Sequence, residues 1–249
     1  RRVPTRKENE AQIVAADGSV LDVTGSGYAM ELRSKPLSTF FAALGVPTGD
    51  KTTSAFRVPE WIRAGPKAVQ RAFTSAYLGA ELSTPKQRGP KLFTQPVFKV
   101  AKTDDVLDAG KAFIEDVSGL LEGFGTRVSN VREDAGNRRQ DGSVSTTLTA
   151  ELDASQESLR NLFSRVGYTY NHEADAESRL AGAYLAEKQA ELDRLAEIAT
   201  RARTAEGGYG QLTELAESHG EDPERVRRWR QRDVEQPRAT AFPDYKTWK

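Results

Sequence analysis

The sequence predicts an α+β fold in which strands and helices are interleaved, followed by a purely helical C-terminal part. Three observations lead there. Up to residue 170, stretches of apolar alternation are separated by stretches with helical apolar spacing. Beyond residue 171 no strand pattern recurs, and the order of elements at 66–170 is echoed in part at the start of the chain.

Taken in order, Ile13-Val14 and Val20-Leu21-Asp22-Val23 flank Asp17-Gly18, a hairpin signal, and Tyr28 to Arg33 alternates weakly. Pro36 opens a short helix carrying Leu37, Phe40, Phe41 and Leu44, which Gly45 and Pro47 close. A second helix starts near Pro66, with Val69, Ala72, Phe73, Ala76 and Tyr77 on one stripe, and runs to Leu78-Gly79-Ala80-Glu81-Leu82. Phe93, Val97, Phe98 and Val100 predict a strand over 91–102. The spacing of Val106, Leu107, Phe113, Ile114, Val117, Leu120 and Leu121 predicts a helix over 104–123, capped by Gly125. Strands follow at 127–132 and 144–152, and a helix from Ser155 to Val166 ends at Gly167. A polar, Ala- and Glu-rich helix spans 174–203. Leu212, Leu215, Val226 and Trp229, with Ala216 and Gly220 four apart, fit a helix-turn-helix.

Composition narrows the chemistry. The 249 residues carry 36 basic and 36 acidic side chains, so any nucleic-acid surface must be a local patch rather than a uniform coat. No run of about 18 apolar residues exists, which excludes a spanning helix, and no membrane partner is expected. With no cysteine, and with His172 and His219 as the two histidines, disulfides, thiolate nucleophiles and sulfur-bound zinc are excluded and a Ser/His triad is poorly supplied. A metal, if bound, is expected to be a hard cation held by carboxylates. The chain opens on Arg1-Arg2 without Met or an apolar signal segment, so it is expected to be intracellular, processed or a fragment of something longer, with a cytoplasmic location.

Glu31-Leu32-Arg33-Ser34-Lys35-Pro36-Leu37, Leu44 to Thr52, Phe56-Arg57-Val58-Pro59-Glu60-Trp61-Ile62 and Phe73 to Leu82 together resemble, in order and spacing, the LAGLIDADG homing endonucleases embedded in inteins. Gly79 to Lys86, Val166 to Asn171 and Phe242 to Trp248 are similar to the inteins that interrupt the archaeal tRNA-splicing RNA ligase. The resemblance implies two αββαββα repeats whose motif helices pack together, each delivering an acid to a divalent metal that cleaves double-stranded DNA. On that scheme residues 1–65 close a first repeat, 66–170 form a second, 171–205 are a helical linker and 206–249 a helix-turn-helix-like tail. The first motif helix is then expected to precede residue 1, making the chain a fragment that lacks its N-terminal half and its host protein. The family motif ends in a small residue, an acid and glycine; Ala80, Glu81 and Leu82 stand there, so Glu81 falls on the catalytic and metal-binding position for Mg²⁺ or Mn²⁺. Leu180 to Lys188 is closer to the consensus letter by letter, but no strand follows it, and it reads as helix interior.

Each candidate also has a plainer reading. Glu81 is either a metal ligand or the exposed end of a helix. Arg57 either stands near a scissile phosphate or pairs with Glu60 or Asp50. Between Pro85 and Lys102 stand Lys86, Arg88, Lys91, Lys99 and Lys102 with no acid, either a strand laid in a DNA groove or a solvated sheet face. Arg127, Arg132, Arg138 and Arg139 would extend that surface. Arg225, Arg227 and Arg228 make the second helix of the helix-turn-helix basic, for phosphate contacts or simply as the solvated side of a small bundle. The function expected from these residues is site-specific, metal-dependent DNA cleavage, impaired in this chain. The alternative is a catalytically inactive DNA-binding remnant or a helix-turn-helix binding module.

Overall fold

A computed structural model describes residues 5–14, 20–29, 33–138 and 142–249. The architecture is α+β, as the periodicities imply. Strands β1 (Thr5–Val14) and β2 (Val20–Ala29) pair antiparallel; the Asp17-Gly18 turn expected between them lies outside the described residues. Helix α1 (Lys35–Ala43) starts where Ser34 accepts a hydrogen bond from the Leu37 amide and Pro36 occupies the first turn. It ends before Gly45, whose φ of +90° is the left-handed conformation that glycine adopts without strain. Phe40 and Phe41 of this helix remain exposed.

After a short α2 (Glu60–Arg63), Pro66 opens α3 (Lys67–Glu81). It buries Thr74, Ser75, Leu78 and Gly79, and a Cβ added at Gly79 would lie 2.1 Å from the Thr169 carbonyl oxygen. Only glycine permits that approach of helix to backbone.

The strand expected over 91–102 is divided. Leu92–Phe93 (β4) pairs with Gln87–Gly89 (β3) as a separate short hairpin, and β5 (Val97–Thr103) begins only after Pro96. Proline has no amide to give to a ladder, so the strand cannot run through it; its carbonyl instead accepts from the Leu152 amide at 2.9 Å. Strands β6 (Val128–Arg138) and β7 (Val144–Leu152) complete an antiparallel sheet ordered β5-β7-β6. Residues 66–170 therefore carry a three-stranded sheet with a detached hairpin rather than two hairpins in one sheet.

Helix α4 (Leu107–Glu122) lays Phe113, Ile114, Val117, Leu120 and Leu121 on the sheet face formed by Phe98, Val100, Leu148, Ala150 and Leu152. This is the core that α3 joins, with Tyr77 edge-on to Phe98 and Phe113 at centroid distances of 5.8 and 5.3 Å. Helix α5 (Gln156–Asn161) continues as a π-helical turn, Leu162–Val166.

Helix α6 (His172–Thr204) is more than the linker expected at 171–205. Its first half places Ala174, Ala181, Tyr184 and Leu185 in the first core; its second half places Leu195, Ile198, Ala199 and Ala202 in another. The Leu180–Lys188 segment is helix interior, as read from the sequence. Helices α7 (Tyr209–Ser218) and α8 (Pro223–Gln231) pack Leu212, Ala216, Val226 and Trp229 on that second half. The end of the chain departs from the expected boundary at 206. Segment 237–249, with α9 (Tyr245–Trp248), returns to the first core, where Tyr245 is buried and Phe242 and Trp248 pack against it. No helix among the described residues is long and apolar enough to cross a membrane.

Candidate functional site

Glu81 is the last residue of α3, and the chain turns extended at Leu82, whose buried side chain anchors the exit while Glu81 stays exposed. A carboxylate there faces the negative end of the helix dipole, which costs about 0.3–1 kcal/mol rather than stabilising the helix. One turn back, the Tyr77 hydroxyl is pushed up from its ordinary value, by burial first and by the charge of Glu81 second.

Both residues line a cavity of about 570 Å³ between α3, β5 and the 44–62 loop. Phe73, Phe113 and Trp61 supply apolar walls, and Lys51, Arg57 and Lys99 reach its lining from the loop and from β5. Glu81 is the one acidic residue of this lining. Among the described residues no group of three or more His, Asp or Glu side chains is gathered to hold a metal ion. The donor set for Mg²⁺ or Mn²⁺ is therefore not made up by Glu81 alone, since such ions need several oxygen ligands.

Arg57 pairs with neither Glu60 nor Asp50. Its Nε and Nη2 donate to the two oxygens of Asp116 at 3.0 and 2.7 Å. The same carboxylate accepts the Val58 amide at 3.2 Å and Arg63 Nη1 at 3.3 Å. Glu60 pairs with Arg63 instead. The Asp116 side chain is 4% exposed and that of Arg57 51%, so a buried acid holds a guanidinium whose remaining edge meets solvent.

The basic candidates separate into two sets. Lys102 is fully buried: its ammonium donates to the Lys51 and Ser54 carbonyls, both at 2.6 Å, and lies 3.7 Å over the Phe56 ring. Burial lowers its pKa. It cannot meet DNA, because strand alternation turns 98, 100 and 102 inward together. Lys91 is likewise withdrawn, donating to the Ala239 and Thr240 carbonyls at 3.2 and 3.1 Å. Arg225 is committed to Glu221 at 2.9 Å, to the Arg238 carbonyl at 2.7 Å and to the Trp229 ring, and Arg227 to Glu224 and the Tyr209 ring. The tail arginines thus build their own bundle.

Lys86, Arg88 and Lys99 are exposed, with no hydrogen bond or ion pair to their head groups among the described residues. Arg127 and Arg132 are exposed but paired, with Asp153 at 3.3 Å and Glu151 at 3.0 Å, and Arg228 makes one bond, to the Glu224 carbonyl. The backbone of Arg138 pairs with Val144 at the end of β6; Arg139 lies outside the described residues.

Two residues escaped the sequence reading. Asp116 sits three residues after Phe113 and four before Leu120, so its placement on the core-facing stripe of α4 was the available signal. Lys51 lines the same cavity as Glu81, and the turn begun by Gly49 at φ +84° was its only local mark.

The chain is homologous to segments of several curated archaeal proteins. It is 36% identical over 183 residues to the DNA-directed RNA polymerase subunit Rpo1N of Methanocaldococcus jannaschii, covering 73% of this chain and 13% of that protein. To the tRNA-splicing ligase RtcB of Pyrococcus furiosus it is 28% identical over 171 residues, 68% of this chain and 17% of the ligase. To the replication factor C small subunit of Methanocaldococcus jannaschii it is 29% identical over 208 residues, 80% of this chain and 10% of the subunit. The chain thus spans only a small part of the length of each relative. No family model and no solved structure matches it.

Proposed function

We propose that this chain is part of an intein-type LAGLIDADG homing endonuclease that binds double-stranded DNA and contributes one catalytic carboxylate, Glu81. The observation that carries this reading is the distribution of its relatives. A polymerase subunit, a tRNA-splicing ligase and a replication factor subunit share one segment of about the same size, and it makes up 10–17% of each. Proteins with unrelated tasks share such a segment most simply when it is an inserted element with a task of its own.

The α3 helix ending on Glu81, the adjoining cavity and the exposed Lys86, Arg88 and Lys99 support a DNA-facing side on the repeat rather than on the tail. Phosphate contacts by these three would position the duplex. Arg57, oriented by Asp116, would bring its outward guanidinium edge toward a phosphate near Glu81. The metal that the family resemblance implies would need carboxylate ligands beyond Glu81.

That lone carboxylate favours a second reading, in which the chain binds duplex without cutting it. The test assays the chain and its Glu81→Gln variant on a library of duplex DNA, with Mg²⁺ and with chelator. Little or no cutting by the chain alone, and none by the variant, is expected. Equal and robust cutting by both would remove Glu81 from the mechanism. Binding that is indifferent to chelator, with no cutting at any concentration, selects the second reading.

A further inference from the structure

We infer that the C-terminal segment 237–249 is a strap that positions the β3–β4 hairpin, and so sets the pose in which Lys86 and Arg88 meet nucleic acid; this rests on the DNA-binding reading above. The hairpin cannot hold its own shape. It pairs Gln87 with Phe93 and Gly89 with Leu92, with a register shift between, and two-stranded pieces far longer than this are marginal in water.

Its order comes from residues far along the chain, on α6 and on segment 237–249. The Tyr245 amide donates to the Pro90 carbonyl at 2.9 Å, at the turn. Lys91, also at the turn, donates to the Ala239 and Thr240 carbonyls, and its own carbonyl accepts from Lys188 at 3.2 Å. Phe93 is buried with its ring 4.9 Å from that of Tyr245 and 6.2 Å from that of Tyr184.

The strap is itself fixed to α6. Tyr184 donates its hydroxyl proton to the Pro243 carbonyl at 3.1 Å, Trp248 donates to Glu187 at 2.7 Å, and Lys249 pairs with Glu177. Lys86 and Arg88 are exposed, while Phe93, which pairs with Gln87, is turned into the core. The strap grips one face of the hairpin and leaves the basic face outward. A hairpin ordered in advance does not pay its ordering entropy on binding, which is how a segment touching no DNA raises affinity for it.

The test uses the full chain with Tyr245→Ala and Tyr245→Phe, followed by hydrogen exchange and by duplex binding. The Thr94 amide, which donates to the Lys86 carbonyl at 2.8 Å, reports on the hairpin. Tyr245→Ala is expected to speed its exchange roughly tenfold or more while β5–β7 amides hold within about twofold, and to weaken duplex binding roughly tenfold. Tyr245→Phe keeps the ring and the amide and should match the unmodified chain. Arg88→Ala should weaken binding in the unmodified chain but add little in the Tyr245→Ala background, a coupling that general destabilisation does not produce.

If Tyr245→Ala fails to fold, Lys91→Met removes two of the three strap hydrogen bonds while leaving the aromatic contacts, and the same comparison applies. Hairpin exchange that does not move overturns the inference, as does faster exchange with unchanged binding. Absence of duplex binding by the unmodified chain sinks the proposed function instead, and the exchange data identify that case.

Discussion

Arg57 and Asp116, 59 residues apart, form a two-pronged pair with N–O distances of 3.0 and 2.7 Å. This pair ties the cavity-lining loop to the helix under the sheet. The carboxylate is the buried member, and it also satisfies the Val58 amide and takes a bond from Arg63. Replacing Asp116 with Ala leaves the buried Val58 amide without its acceptor, a loss of about 1–3 kcal/mol. Urea unfolding of Asp116→Ala should show that loss, with Arg57→Ala costing less because about half of the Arg57 side chain is exposed. Equal costs would place the energy in the ion pair rather than in the amide.

The salt dependence of duplex binding should separate the exposed cations from the buried one. Lys99→Ala is expected to reduce the slope of log affinity against log salt by about 0.9, the value for one phosphate contact on duplex DNA. Lys102→Ala should leave the slope unchanged while lowering the melting temperature, since its ammonium is spent on the Lys51 and Ser54 carbonyls. A reduced slope for Lys102→Ala, measured by anisotropy across a salt series, would mean that residue 102 reaches solvent after all.

Acid should loosen both cores. Glu191 is held below its ordinary 4.5 by a hydrogen bond from Arg194, which also bonds Glu221 at 2.5 Å and the His219 carbonyl at 3.1 Å. Asp153 and Asp244 are depressed below 3.8, chiefly by the backbone amides of Ser155 and Thr247. A carboxylate depressed in the folded state stabilises it above the unfolded value, and the contribution fades as pH falls through the folded one. Thermal melts should therefore be flat down to about pH 4.5 and fall below it. The fall should be shallower in Glu191→Gln, which has already lost its share.

Deleting 206–249 should damage more than the tail. The deletion removes Tyr245, Phe242 and Trp248 from the first core, where Tyr184 meets their rings at 5.2, 5.4 and 5.5 Å. Losing a buried aromatic side chain costs about 3–5 kcal/mol. The truncated chain should melt well below the full one by near-ultraviolet circular dichroism. Unchanged melting would restore the tail to an independent unit.

Local chemistry in the sequence was enough to determine the kinds of element and most of their limits. Pro66 and the Val69–Tyr77 stripe bound α3, Ser34 and Gly45 bound α1, and the apolar spacing from Leu107 to Leu121 sets α4, because caps, glycines and periodicity act within a few residues. The α+β class and the helical tail follow from the same signals. Tertiary structure alone decided which charges are available. Lys99 and Lys102 are the same residue type three apart on one strand, yet Lys99 and Ala101 of β5 face outward while Phe98, Val100 and Lys102 face the core. Arg57 met an acid no spacing rule links to it, and Lys91 and Tyr245 joined ends of the chain whose apolar patterns read as separate units. Those outcomes depend on which surfaces the packed core brings together, and on the cost of leaving a buried polar group unpaired, neither of which is written in any local stretch of the chain.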